Sequence, residues 1–180
     1  MEQLHNHPCI CCWVPFNEGW GQFDSARIFR AIREFDPTRP VDHASGWYDQ
    51  GVGDFISIHR YKYRIKLPKM DGRVFVLSEY GGYSQIDPGH VWNTEKSFGY
   101  LLYDTKEALT TAYRELHEQQ IIPLIEKGLG TVVYTQLTDV EDEVNGLMTY
   151  DREHIKVEEA VIMDINQKLT LWRSENDQPV

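Results

Sequence analysis

The chain has 180 residues, a length that suits one domain able to bury a core. Its 41% hydrophobic and 12% aromatic content is that of a globular protein, not a disordered one. A formal net charge of −10 repels phosphate and disfavours a nucleic-acid partner, and no run of roughly 18 apolar residues is present to cross a membrane.

The N-terminal "MEQLHNHP" has neither the charged nor the apolar region of a secretory signal, which leaves the compartment open. The first element is "CICCWVPF" (9–16), a continuous apolar run that predicts a strand buried on both faces. Cys9, Cys11 and Cys12 are then small buried residues, and no second cysteine pair exists to complete a zinc site. The run breaks into Asn17, Glu18 and glycine. Residues 23–36 predict an amphipathic helix, with Ile28, Ala31, Ile32 and Phe35 on one face, Asp24 or Ser25 as cap and "DPTRP" as stop.

A short strand is expected at 41–45, then a loop rich in Gly, Trp, Tyr and Asp, then a strand at 54–59. "RVFVLSEYGG" predicts a strand over 73–78 that ends in Glu79 and two glycines. A loop and a helical region run to about 103, followed by a long helix over 104–128 with Asp104 or Thr105 as cap, a kink at Pro123 and a stop at Gly128. A last strand at 130–137, the acidic loop "DVEDEVNG", a final helix over 156–171 and a frayed tail over 173–180 complete the chain. The acidic loop lacks the spacing of a calcium-binding loop and reads as solvated or as hydrogen-bonded support for a pocket.

Buried strands alternating with amphipathic helices predict an α/β fold with a parallel sheet, in which catalytic groups sit at the C-terminal ends of strands. A closed barrel of this kind takes eight strands and about 250 residues. The five predicted strands make either an open sheet or the later part of a barrel.

Two carboxylates occupy equivalent positions, Glu18 after "WVPFN" and Glu79 after "VFVLS", each where a buried strand gives way to glycine. Glycoside hydrolysis needs such a pair, one to protonate the leaving oxygen and one to attack the anomeric carbon or activate water. An apolar wall and a nearby carboxylate help a catalytic acid hold its proton, and Trp13 and Trp20 flank Glu18 in sequence. Sugar faces stack on aromatic rings, and Trp20, Trp47, Tyr48, Tyr80, Tyr83 and Trp92 lie near the strand ends. Tyr134 and Gln136 point inward by alternation on the last strand.

"NHPCICCWVPFNEGWGQFD" resembles the fourth-strand motif of glycoside hydrolase family 2, the β-galactosidase and β-glucuronidase family. "RPVDHASGWYDQGVGDFISIHRY" is similar to its fifth and sixth strands, "VFVLSEYGGY" to its seventh, and "GTVVYTQLTDVEDEVNGLMTYDR" to the eighth strand of β-galactosidase-like members. The motifs come in the family's order over residues 6 to 172. The resemblance implies a partial TIM (β/α)8 barrel, strands four to eight with their helices, forming the C-terminal part of a catalytic domain over 1–172. It implies a retaining β-glycosidase, β-galactosidase-like, with Glu18 as acid/base and Glu79 as nucleophile. Asn17 would hold the sugar 2-hydroxyl, Tyr61 would orient the nucleophile, and His59 would line the pocket or serve as structure.

No cofactor and no matched metal ligand follow from the resemblance, although family members often use magnesium or sodium. The first three barrel strands and the preceding sandwich domains are not represented. Little turnover is therefore expected from this chain alone, and self-association or completion by a further barrel segment would cover its open edges. A non-catalytic remnant or assembly partner of the same fold, or a carbohydrate-binding module, are the alternatives.

Overall fold

The computed structural model describes residues 1–19 and 21–176, with side chains described to residue 170. Trp20 and the end of the predicted tail, 177–180, lie outside the described residues. The chain forms two compact units. The first comprises 1–60, 66–79 and 128–133; the second comprises 61–65, 80–127 and 134–180.

In the first unit, helix α1 is Ser25–Phe35, as its periodicity predicts. Asp24 stands at its N-cap with a φ of 45° and makes no side-chain cap hydrogen bond; it pairs with Arg27 instead. Ile32, with Ile28 and Phe29, packs α1 against Trp13 and Val41. The stop sequence "DPTRP" does more than end the helix. Asp36 is inaccessible to solvent and accepts from Trp13 Nε1 at 2.8 Å, Thr38 N at 3.0 Å and Arg39 Nη1 at 2.6 Å. These donors, the Thr38 hydroxyl first, hold its carboxyl well below the usual carboxylate range. Arg39 also donates to the carbonyls of Ile10 and His5, so this turn fixes the segment that leads to Glu18.

The predicted strands at 9–16 and 41–45 are reduced to one parallel bridge, Trp13↔Val41, supported by Asp42 N→Trp13 O and Ser45 N→Phe16 O, both 2.9 Å. Trp13 N→Pro40 O at 3.0 Å adds to this edge, where 40–45 pairs with the backbone of segment 9–16. Its cysteines are corrected accordingly: Cys9 and Cys11 are exposed and Cys12 is half-buried. An apolar run is buried only where another layer covers it.

Strand β1 is Phe55–Arg60, β2 is Val74–Gly81, and β5, the last strand, is Leu129–Thr135. They form a sheet in the order β1-β2-β5. Asp54 N→Val41 O at 3.0 Å and Val74 N→Asp54 O at 3.1 Å carry the pairing from the 41–45 segment through β1 to β2. Phe75, Val76 and Leu77 are buried along β2, whereas Val133 on β5 is exposed.

In the second unit, the helical region expected before 103 is replaced by turns and a two-stranded parallel sheet, β3 (Tyr83–Ser84) and β4 (Leu101–Leu102). That stretch has no sustained helical period; Asn93 instead caps a turn by accepting from Glu95 N. The long helix forms in three pieces: α2 (Lys106–Leu116), a π-helical turn (His117–Ile121) and α3 (Ile122–Ile125). Thr105 caps α2, its hydroxyl accepting from Ala108 N. Pro123 has no N–H to continue the ladder, and the Ile122 N–H reaches back to His117 O. Helix α4 is Glu159–Asn176, with Val161 and Ile165 buried.

The core of this unit is aromatic: Tyr80, Tyr113, His117 and Tyr134 pack edge to face or tilted, and the Tyr80 hydroxyl meets His117 Nε2 at 2.8 Å. The acidic loop is structural. Lys156, buried, donates to Asp139 Oδ1 at 2.6 Å and to the carbonyls of Gln85 and Val144 at 3.0 Å, while Asp142 accepts from Asn93 and Lys96. Among the described residues no helix is long and apolar enough to cross a membrane.

Candidate active site

Within the first unit, Glu18, His59 and Glu79 meet. His59 Nδ1 is 2.7 Å from Glu18 Oε1 and 3.2 Å from Glu79 Oε2. The three donor atoms lie within 4.8 Å of one another. The imidazole is 1% exposed, whereas the carboxylates are 28% and 29% exposed. A buried ring thus stands behind two carboxylates that solvent, and so a substrate, can reach.

The local sequence explains this placement. Glu79 lies near the end of β2, and Glu18 follows the segment anchored by the Trp13↔Val41 bridge. Ser57 and His59 are two residues apart on β1 and share a face. Gly46 has a φ of +96°, and a Cβ there would fall 2.5 Å from the His59 ring; only glycine lets the backbone pass the imidazole so closely. Gln22 ties two loops together, its Nε2 donating to Asn17 O at 3.0 Å and to Trp47 O at 3.1 Å.

Four residues that the sequence did not flag stand behind the imidazole. His59 Nε2 is 3.0 Å from Ser45 Oγ, Ser45 Oγ is 2.8 Å from Ser78 Oγ, and Ser78 Oγ is 2.6 Å from Ser57 Oγ. Asp42 lies close to Ser57. Asp42 is 4% exposed, and its Oδ1 has no hydrogen-bond partner. Burial raises its pKa from 3.8, opposed by Ser57, the backbone N–H of Ala44 and the nearby imidazoles. Neighbouring His43 is also buried; its pKa is lowered by desolvation, and its Nε2 accepts from Gln50 N. In sequence these serines and Asp42 are ordinary strand residues, and only alternation with His59 marks Ser57.

The other predicted residues are placed as follows. Asn17 is exposed, and its carbonyl accepts from Gly19 N and Gln22. Trp47 is 50% exposed. Tyr61 and Tyr134 belong to the second unit: Tyr61 stacks on Tyr100 at 4.0 Å and its hydroxyl reaches Thr135, while Tyr134 packs in the aromatic core. Gln136 donates to Glu143 and Asn145 and supports the acidic loop. Trp20 lies outside the described residues. The Trp13 indole is held in the α1 core by Asp36.

Chemically, two accessible carboxylates sharing an imidazole can hold and move one proton between them. The spacing of Glu18, His59 and Glu79 would also suit a cation, as would that of His90, Asp151 and Glu153 in the second unit. In each set the imidazole already contacts a carboxylate directly, which is the arrangement of an acid–base group.

Residues 1–85 match the family model described as glycosyl hydrolases family 2, TIM barrel domain. No curated protein matches the chain. Among solved structures it is similar in fold to a Faecalibacterium prausnitzii beta-glucuronidase, with a TM-score of 0.61 and 17% identity over 94% of this chain and 33% of that one. The chain therefore spans about a third of the length of that protein. The architecture is α/β with a parallel sheet, part of a TIM barrel. Residues 1–85 are thus similar to the glycosyl hydrolases family 2 barrel domain, and the fold of the chain is that of part of a TIM barrel.

Proposed function

We propose that the chain carries the acid–base and nucleophile pair of a retaining β-glycosidase. The observation that carries this reading is the Glu18–Glu79 pair, whose facing atoms lie within 4.8 Å across His59 Nδ1. That suits the separation of about 5–5.5 Å associated with a covalent glycosyl-enzyme and leaves little room for a water between the carboxylates. Glu79 attacks the anomeric carbon, and Glu18 protonates the leaving oxygen and then activates water. Asn17 holds the 2-hydroxyl, and Trp47 offers a stacking face. The likeness of "TQLTDVE" to β-galactosidase-like members favours a β-galactoside. The exposed Val14 and Val133 on strand segments favour self-association or completion by a further barrel segment, read out by analytical ultracentrifugation; a soluble monomer at all concentrations would remove that part.

A 2-fluoro β-glycoside with a good leaving group tests the chemistry even where turnover is slow. The expected result is a mass increase of one glycosyl unit, located on the peptide containing Glu79 and absent in Glu79→Gln. Labelling elsewhere, or none with any sugar of a panel spanning galactosides and glucuronides, would overturn the catalytic reading in favour of a non-catalytic relative.

A further inference from the structure

Two loops of the first unit meet at one side-chain amide. Gln22 Nε2 lies 3.0 Å from the carbonyl oxygen of Asn17 and 3.1 Å from that of Trp47, and Gln22 Oε1 lies 2.9 Å from Gln50 Nε2. The orientation of this amide is fixed. Backbone carbonyls can only accept, so these two take the two protons of the Gln22 amino group, and the oxygen at its other end accepts from Gln50. Gln50 is anchored in turn, its backbone N–H donating to Nε2 of buried His43 at 3.2 Å. The Asn17 carbonyl also accepts from Gly19 N at 2.6 Å, so both of its lone pairs are engaged. That carbonyl shares one rigid peptide plane with the N–H of Glu18. Pinning the carbonyl therefore sets the direction in which the Glu18 side chain leaves the backbone. Packing joins the same loops independently: Gly19 has a φ of +85°, and a Cβ there would fall 2.1 Å from the Tyr48 ring.

We propose that Gln22 is a positioning residue of the acid–base centre: by holding the Asn17 and Trp47 carbonyls on one amino group, it keeps Glu18 at a fixed setting relative to the loop that carries Trp47. Gln22 acts through the Asn17–Glu18 peptide plane, not on the substrate. The Glu18 carboxylate is then set from both ends, by its backbone and by His59 Nδ1 at 2.7 Å. Without the Gln22 amide, the Asn17 carbonyl loses its tie to the Trp47 loop and Glu18 loses its backbone setting. An error on the order of 1 Å at a catalytic group costs about 10²-fold in rate. All of these residues lie within the first unit.

The inference rests on Glu18 being the acid–base residue, but one arm of its test needs no chemistry. The full chain is labelled with 15N-glutamine, and the Gln22 amino group is assigned by its loss in Gln22→Met, a neutral side chain of similar length. Its protons are expected to exchange with water at least about 10-fold more slowly than those of exposed Gln119. Exchange as fast as in Gln119 overturns the proposal. The second arm follows the glycosyl ester formed on Glu79 by the 2-fluoro β-glycoside. A good leaving group departs without an acid's proton, so Gln22→Met should still be labelled on Glu79. Release of the sugar then needs Glu18 to deprotonate water, and this step should slow by about 10²-fold in the variant. Azide attacks the anomeric carbon without a base, giving the glycosyl azide and the free Glu79 carboxylate, and should restore release. Absence of labelling in the variant alone, release at the wild-type rate, or slow release that azide does not restore each overturns the proposal. A protected amide with no labelling of the wild type removes the glycosidase reading alone; labelling of the wild type with an unprotected amide removes this inference alone.

Discussion

Lys156 in the second unit and Asp42 in the first are both ionisable side chains almost closed to solvent, 2% and 4% exposed, but they are accommodated differently. The Lys156 ammonium spends its donors on one carboxylate and two carbonyls, so its charge is met in place. Asp42 has one oxygen without a partner, and it lies near a row of hydroxyls, Ser57, Ser78 and Ser45, that ends on an imidazole facing solvent-accessible carboxylates. The first arrangement is local and holds a loop, although Asp139 Oδ2 is, like Asp42 Oδ1, without a partner. The second is open at one end, where chemistry can draw on it. Burial of charge alone does not distinguish structure from function; where the hydrogen bonds lead does.

The sharpest break in that contrast comes from Lys156→Met. It strands Asp139 as a buried unpaired carboxylate and should cost about 3–5 kcal/mol in urea unfolding, with Lys156→Met/Asp139→Leu recovering most of the loss. A small effect would mean that the pair is not closed. Glu18→Gln and Glu79→Gln should by contrast change stability by less than about 1 kcal/mol, because both carboxylates reach water and the amides are isosteric. A large loss from either would make the site structural.

Histidine titrations followed by NMR give a finer comparison. Burial lowers the pKa of His43 and of His117 from 6.5, whereas the Asp151 carboxylate beside His90 raises that residue's pKa. The stability contributed by neutral His43 and His117 is therefore present above 6.5 and lost as pH falls through their folded values. That of His90 is present below 6.5 and lost as pH rises through its folded value. Titration of His117 above 6.5 would contradict its closed aromatic setting. The smallest effect is in thiol labelling: burial pushes the Cys12 thiol up to about 11, so at pH 8 it should react more slowly than exposed Cys9 and Cys11.

Much of this was legible in the sequence, for definable reasons. Helix α1 announced itself by a one-faced apolar period, and β2 by an apolar run ended by Glu79 and glycine. The pairing of Glu18 with Glu79 was legible because each follows an apolar run that gives way to glycine. The 9–16 run misled because composition records apolarity but not the presence of a covering layer. The stretch before 103 misled because short Asx-type turns leave no period to read. Ser45, Ser57, Ser78 and Asp42 were silent because small polar residues gain meaning only from partners distant in sequence, such as Ser45 from Ser78.

The close approach of Gly46 to the His59 ring has a consequence for motion. With backbone against one side and each nitrogen tethered, to Glu18 at one end and Ser45 at the other, a half-turn of the imidazole would break both tethers and place a carbon against the carboxylate. The ring is a fixed partition rather than a rotor. Both carboxylates meet the same nitrogen, Nδ1, so an exchange between them does not need the ring to turn.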